Sequence, residues 1–120
     1  MSLKLSIREV GDVAIVDLGG RITLGEAAGE LRESLKGLLA KGIKNIVLNL
    51  AGVSYIDSSG LGELVGGFAT VSNRGGRLKL LHLQGRALEL MQITKLYSVF
   101  DTYTDEAEAV RSFQPHATSA

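Results

Sequence analysis

The sequence predicts an α/β domain with a mostly parallel sheet of four to five strands, an N-terminal hairpin and helices packed mainly on one face. The hairpin is predicted because two apolar segments, 3–8 and 13–18, flank a turn at Gly11-Asp12. After it, strand and helix patterns alternate, which is typical of parallel strands joined by right-handed crossovers. The chain has 120 residues, and we expect a single domain that spans 3–113.

The first three predicted strands differ in pattern. Residues 3–8 alternate apolar and polar side chains, as a half-buried strand does. Residues 13–18 form the second strand of the hairpin. Residues 45–50 are apolar and rich in β-branched side chains, which is typical of a buried central strand.

The first helix is predicted between Thr23 and Gly42. Thr23 and Glu26 have the spacing of a capping box, in which Thr is the N-cap and Glu lies three positions on. Alanines and leucines recur at helical spacing from Ala27 to Leu39, so one face of the helix is apolar. Gly42 follows where a C-terminal cap is expected.

The rest of the chain continues the alternation. A second helix is predicted over 61–73, after which Gly75-Gly76 interrupts the pattern. The later predicted elements are a strand at 77–83, a helix at 86–93, an edge strand at 99–103, a helix at 105–113 and a mobile C-terminal tail at 114–120.

Composition excludes several classes of function. Lys and Arg number 13, as do Asp and Glu, so the chain lacks the cationic surplus that nucleic acids and anionic membranes attract. There is no cysteine, which excludes disulfides and Cys-ligated metal sites and suits a reducing compartment. The N-terminus has no signal-peptide pattern, and no apolar run approaches the roughly 18 residues of a membrane span. We therefore expect a cytoplasmic protein without membrane insertion.

The motif Asp57-Ser58-Ser59-Gly60 lies between a predicted strand and a predicted helix. Ligand chemistry collects at the carboxyl ends of parallel strands, and helix N-termini favour anions. A phosphate on Ser58 would suit this position, so phosphorylation would act on partner binding and not by unfolding. Gly60 and Gly62 would let a kinase or partner approach closely. Asp and Ser are also the commonest N-cap residues, so helix capping explains the motif equally well.

A longer run resembles the signature of a known family. Residues 53–62, preceded by Asn49-Leu50, are similar to the signature of the STAS domain family, specifically its bacterial anti-sigma factor antagonists. The element order across 3–113, the Gly75-Gly76 break and the segment 90–96 also resemble that family. The resemblance implies the STAS fold.

The resemblance also implies a mechanism. Such an antagonist, when unphosphorylated, binds an anti-sigma factor that is also a serine kinase, and so releases the sigma factor. The kinase binds the ATP and phosphorylates Ser58, the antagonist dissociates, and a PP2C-type phosphatase restores it. The antagonist would be no enzyme, would need no cofactor or metal, and we expect it to be monomeric when free. The residues expected beside the phosphosite or in contact with the partner are Asp57, Ser59, Gly60, Leu61, Gly62, Arg21, Thr23 and Glu63.

Two charged residues bear on which kinase is recognised. Family members often carry an acidic residue where this chain has Arg21, in a loop that the resemblance places on the partner-facing surface. Glu63 adds a negative charge one helical turn past the serines.

Two alternatives belong to other functional classes. A STAS domain can serve as a regulatory subunit of a bacterial lipid transporter, which needs no phosphorylation, although the motif at Ser58 favours the sigma pathway. A serine hydrolase needs a base beside its nucleophile, and the only histidines are His82, within a strand pattern, and His116, in the tail. The Gly-x-Ser-x-Gly elbow is absent, and two isolated histidines do not predict a metal site.

Overall fold

The computed structural model describes residues 3–23 and 25–114. The strands are β1 (Leu3–Val10), β2 (Val13–Ile22), β3 (Asn45–Ile56), β4 (Arg77–Leu81) and β5 (Thr102–Tyr103). The helices are α1 (Glu26–Ala40), α2 (Ser58–Asn73), α3 (Gly85–Thr94) and α4 (Glu106–Arg111), and a 3-10 turn at Leu96–Val99 precedes β5.

The five strands form one sheet in their sequence order. β1 is antiparallel to β2, with Leu3 opposite Gly20 and Val10 opposite Val13. β2, β3, β4 and β5 are parallel to one another. The prediction of an N-terminal hairpin followed by parallel strands is therefore confirmed.

Both faces of the sheet carry a hydrophobic core, because successive side chains of the apolar strands point to opposite faces. α1, α2 and α3 bury the larger core against one face, because successive right-handed crossovers place their helices on the same side. α4 covers a smaller core on the other face. The smaller core consists of Val13, Ile15, Val47, Leu81, Ala109 and Phe113.

Polar side chains also attach α4 to its face. Arg8 donates hydrogen bonds of 2.6 to 3.2 Å to the carboxylates of Asp17 on β2 and Glu106 on α4. The Asn49 amide donates a further bond to Asp17 at 2.8 Å. The hydrogen bonds from Arg8 hold the pKa of Asp17 below its ordinary value, and those to Asp17 and Glu106 raise the pKa of Arg8.

Lys79 on β4 is buried beneath the end of α4. Its Nζ donates to the backbone carbonyl of Ser112 at 3.2 Å and to the hydroxyl oxygen of the same residue at 2.8 Å. It also lies 4.4 Å from the ring centroid of Phe113 and 5.7 Å from that of Tyr103. Two aromatic faces and two oxygen atoms thus surround this buried cation.

Two predicted strands continue further than expected. The predictions ended at Leu18 and Leu50, where the apolar pattern is interrupted, but β2 runs to Ile22 and β3 to Ile56. The register shifts twice along this extension, and the pairing passes Gly52, where a Cβ would lie 3.0 Å from the carbonyl oxygen of Leu18. The prediction that Arg21 lies in a loop is therefore wrong, because β2 includes it.

The predicted ends of α1 have different outcomes. The capping box is wrong, because the N-cap is Gly25, at φ +104, and not Thr23, and glycine has no side chain that could cap the helix. The prediction for Gly42 is confirmed: it has φ +85, and its N–H donates to the Leu39 carbonyl oxygen at 2.9 Å. The Ile43 N–H donates to the Leu38 carbonyl oxygen at 3.0 Å, which completes a Schellman motif.

Of the remaining elements, α2 and α3 are slightly longer than predicted, whereas the last two strands and α4 are shorter. The predicted edge strand at 99–103 is reduced to β5, because Leu96–Val99 forms the 3-10 turn. The predicted strand at 77–83 ends at Leu81, and α4 is six residues long. Residues 115–120 lie outside the described residues, so the mobile tail stays a prediction. No helix in the described part of the chain is long and apolar enough to cross a membrane.

Candidate functional site

The junction between β3 and α2 is built around Asp57. This residue has an extended backbone, with φ −104 and ψ −177, and is the N-cap of α2. Its carboxylate accepts the N–H of Gly60 at 2.8 Å, which satisfies one of the first-turn donors that have no partner within the helix. Its own N–H donates to the carbonyl oxygen of Ile22 at 3.4 Å. Asp57 therefore joins the ends of β2 and β3 to the start of α2.

Ser58 is the first residue of α2, and it is exposed. The sequence allowed either helix capping or phosphorylation as the reason for the motif. The structure assigns the capping to Asp57, so the hydroxyl of Ser58 is not needed for it. Ser59, the next residue, is half-buried. Ser58 is thus an exposed serine that directly follows the capping aspartate in the chain.

The two glycines of the motif have different surroundings. A Cβ on Gly60 would overlap the carbonyl oxygen of Ile22 and lie 2.9 Å from Cγ1 of Ile56. Gly60 is therefore required by the packing of α2 against the strands, and not by the approach of a partner. A Cβ on Gly62 would meet no other atom within 4 Å, and this residue is exposed.

Leu61 and Thr23, which the resemblance placed beside the phosphosite or in partner contact, lie in contrasting positions. Leu61 is 3 % exposed and packs in the larger core, where it anchors the first turn of α2. Its side chain does not present a surface to a partner. Thr23 is half-buried and directly follows the end of β2, at the same edge of the sheet as Asp57.

Glu63 forms an ion pair within the protein. Its carboxylate accepts a hydrogen bond from the guanidinium of Arg32 on α1 at 2.7 Å. This hydrogen bond raises the pKa of Arg32. The expected negative charge one turn past the serines is thus offset by a cation, and the pair links α1 to α2. The sequence did not reveal Arg32, because it lies 31 positions away.

Arg21 lies on β2 opposite Tyr55 of β3. Its guanidinium carbon is 4.7 Å from the centroid of the Tyr55 ring, which is a cation–π contact. Tyr55 is a residue that sequence reasoning did not single out. The contact places a cation over Tyr55, which lies near the carboxyl end of β3 and precedes Ser58 by three positions.

Ser58 lies outside the cavity that α2 lines together with α1. A cavity of about 140 Å³ between α1 and α2 is lined by Arg32, Leu35, Glu63, Gly66, Gly67 and Thr70, and does not include Ser58. The described residues contain no group of three or more His, Asp or Glu that could hold a metal ion. An exposed hydroxyl on an open surface suits recognition by another protein better than binding of a small substrate.

The described residues offer no catalytic base hydrogen-bonded to Ser58. His82 follows β4 with φ 59, and its backbone N–H donates to the carbonyl oxygen of Tyr103 at 2.8 Å. No hydrogen bond joins His82 to Ser58 among these residues. His116 lies outside the described residues. The geometry thus gives no support to the hydrolase alternative.

Comparisons with known proteins agree with the fold. Residues 4–109 match the STAS domain family. The anti-sigma-B factor antagonist of Bacillus subtilis is 36% identical over 101 residues, which cover 84% of this chain and 91% of that protein.

Solved structures give the same fold. The Bacillus cell fate determinant SpoIIAA in its phosphorylated form has a TM-score of 0.73 at 21% identity, and the match covers 92% of this chain and 100% of that one. A sulfate transporter family protein from Wolinella succinogenes has a TM-score of 0.68 at 18% identity, covering 86% and 85% of the two chains. At these identities the structural likeness concerns the fold alone. The family match and the Bacillus subtilis relative show that the chain belongs to the STAS domain family, among its anti-sigma factor antagonists.

Proposed function

We propose that this protein is an anti-sigma factor antagonist that is switched off by phosphorylation of Ser58. In the unphosphorylated state it binds an anti-sigma factor serine kinase, and the sigma factor is released. The observation that carries the proposal is the exposed hydroxyl of Ser58, which is free of a capping role because Asp57 caps α2.

The position of Ser58 suits a reversible modification. It is the first residue of α2, where the helix dipole favours a negative charge. A phosphate adds about 1.5 to 2 negative charges near neutral pH, and at a helix N-terminus these do not oppose the fold. Modification would therefore leave the fold intact and change the surface that a partner meets.

The unphosphorylated surface has features that a protein partner could use. Gly62, four positions after Ser58 on α2, leaves space at the helix surface. Arg21 lies near the carboxyl end of β2. A phosphate on Ser58 would add charge and bulk to the surface that fits the partner in the unphosphorylated state. The complex would then dissociate because the added charge and bulk of the phosphate would have to be desolvated in an interface formed around the unmodified serine.

The other components follow from the same mechanism. The kinase supplies the ATP site, so this chain needs no cofactor and acts as a binding protein and not as an enzyme. A PP2C-type phosphatase returns the protein to its active form. We further propose a cytoplasmic protein that is monomeric when free.

The proposal is tested by phosphorylation with the purified partner kinase and ATP. Mass spectrometry should place one phosphate on Ser58, and Ser58→Ala should take up none. Ser59→Ala is the matched control, because it removes the neighbouring hydroxyl and should keep the labelling. Undiminished labelling of Ser58→Ala would contradict the assignment.

Binding measurements test whether a negative charge at position 58 weakens the complex, which the labelling experiment does not show. Ser58→Asp should bind the kinase more weakly than Ser58→Ala, by about tenfold or more, because it places a negative charge in the interface. Calorimetry measures both affinities, and equal values would count against the switch. The transporter alternative predicts instead that the chain co-purifies with an integral-membrane permease.

A further inference from the structure

The guanidinium of Arg21 is held only weakly where it lies. Its contact with the Tyr55 ring, at 4.7 Å, is a cation–π contact on an exposed side chain. Among the described side chains, no carboxylate forms a salt bridge with Arg21, whereas Arg8, Arg32 and Arg86 each form at least one. The planar donors of this guanidinium therefore remain available to an anion.

The carboxyl ends of β2 and β3 bring the backbone beside Arg21 close to the first turn of α2. Ile22, the residue after Arg21, touches the first turn of α2: its carbonyl oxygen accepts the N–H of Asp57 at 3.4 Å. Its carbonyl carbon would lie 2.8 Å from a Cβ on Gly60. On the neighbouring strand, Tyr55 precedes Ser58 by only three positions. Both members of the cation–π pair thus lie near the carboxyl ends of their strands, at the end of the sheet where α2 begins. Because Ile22 and Ile56 point into the larger core, the side chains of Arg21 and Tyr55 start from the opposite face of the sheet.

A second cation in this region is already engaged. Arg32 is hydrogen-bonded to Glu63 at 2.7 Å, so moving it to a phosphate would leave that carboxylate without its partner. Arg21 would give up only an exposed aromatic contact. A doubly charged phosphate forms shorter and stronger, often bidentate, hydrogen bonds with a guanidinium. The exchange from ring to phosphate is therefore favoured for Arg21 over Arg32.

We propose that Arg21 is the intramolecular counter-ion of phosphorylated Ser58, and that it leaves the Tyr55 ring to pair with the phosphate. This inference rests on the proposed function to the extent that it takes Ser58 as the modified residue. Phosphorylation then changes the partner-facing surface at two points, since it adds an anion and withdraws a cation. A partner that used Arg21 in the unphosphorylated complex would lose that contact in the same step.

The test uses the full chain with phosphoserine incorporated at position 58 during translation, so that no kinase is needed. A ³¹P NMR titration gives the second pKa of the phosphate. Because Arg21 favours the dianion, we expect this pKa to be about 0.3 to 0.6 unit higher in Arg21→Gln than with Arg21 present. The charges of Asp57, Glu63 and Arg32 are the same in both proteins, so the difference reports Arg21.

Two matched variants complete the titration. Arg74→Gln removes an exposed arginine at the opposite end of α2 and should titrate as the unsubstituted chain does. Arg32→Gln should raise the phosphate pKa less than Arg21→Gln does. Equal phosphate pKa values with and without Arg21, or a larger effect from Arg32, would overturn the proposal.

A second measurement follows the Arg21 side chain directly. In the unphosphorylated protein the Tyr55 ring should shift the Hδ protons of Arg21 upfield, and phosphorylation should return them toward their unshifted positions. Unchanged Hδ shifts would refute the exchange. Failure of the proposed kinase reaction would leave both measurements unaffected, because the phosphate is installed without it, so the two proposals can fail separately.

Discussion

α2 and α4 pack on opposite faces of the same sheet and are attached by different physical means. α2 is held by close packing, with Gly60 against the Ile22 carbonyl and its leucines in the larger core. α4 is short and adds few apolar side chains, and its attachment depends on Arg8 and Lys79. The helix that carries Ser58 is thus fixed by shape, which leaves its exposed polar groups available for a partner.

The largest effect is expected from a substitution that disrupts the close packing of α2. Gly60→Ala should lower the free energy of unfolding by about 3 kcal/mol or more, because the added Cβ meets backbone atoms that cannot rotate away. Gly62→Ala is the matched control in the same helix. It should leave stability unchanged or raise it by about 0.5 to 1 kcal/mol, since alanine favours the helix and its Cβ meets open space. Urea unfolding measures both, and equal effects would contradict the packing role of Gly60.

A smaller effect is expected on the face of α4. Lys79→Ala should lower the free energy of unfolding by about 2 to 3 kcal/mol, because it removes both a packed side chain and the contacts of its ammonium group. Lys79→Met keeps the length of the side chain and should recover part of this loss. Urea unfolding is again the measurement. A loss below about 0.5 kcal/mol for the alanine variant would show that α4 does not depend on Lys79.

The smallest effect depends on pH. Arg8→Ala should lower the free energy of unfolding at neutral pH by about 1 kcal/mol, because the network is partly exposed to solvent. The pKa of Asp17 lies below its ordinary value of 3.8 in the folded state, so its contribution is complete above that value and is lost as the pH falls through the folded-state pKa.

The difference between the unsubstituted chain and Arg8→Ala should therefore shrink as the pH falls from about 4 towards 2. Thermal unfolding across that range measures it. Arg86→Ala breaks an isolated exposed pair with Glu89 on α3 and should have little effect at any of these pH values. A difference for Arg8→Ala that does not change with pH would contradict the role of Asp17.

The sequence by itself determined the order of the elements and the place of the motif. The hairpin, the alternation of strands and helices, and the Gly42 cap are patterns within a few neighbouring residues, so they can be read locally. The capping box at Thr23 was a local pattern that the fold did not use, because the glycine at position 25 enters the helix with a positive φ.

Only the tertiary structure decided what the residues near Ser58 do. Gly60 must lack a side chain because the carbonyl group of Ile22 lies against it, and Glu63 pairs with Arg32 of another helix. Both contacts join residues that are distant in the chain. Arg21 lies opposite Tyr55 only because the register of β2 on β3 shifts twice between Asp17 and Arg21. Contacts of this kind follow from strand register and helix packing, which a linear pattern does not contain.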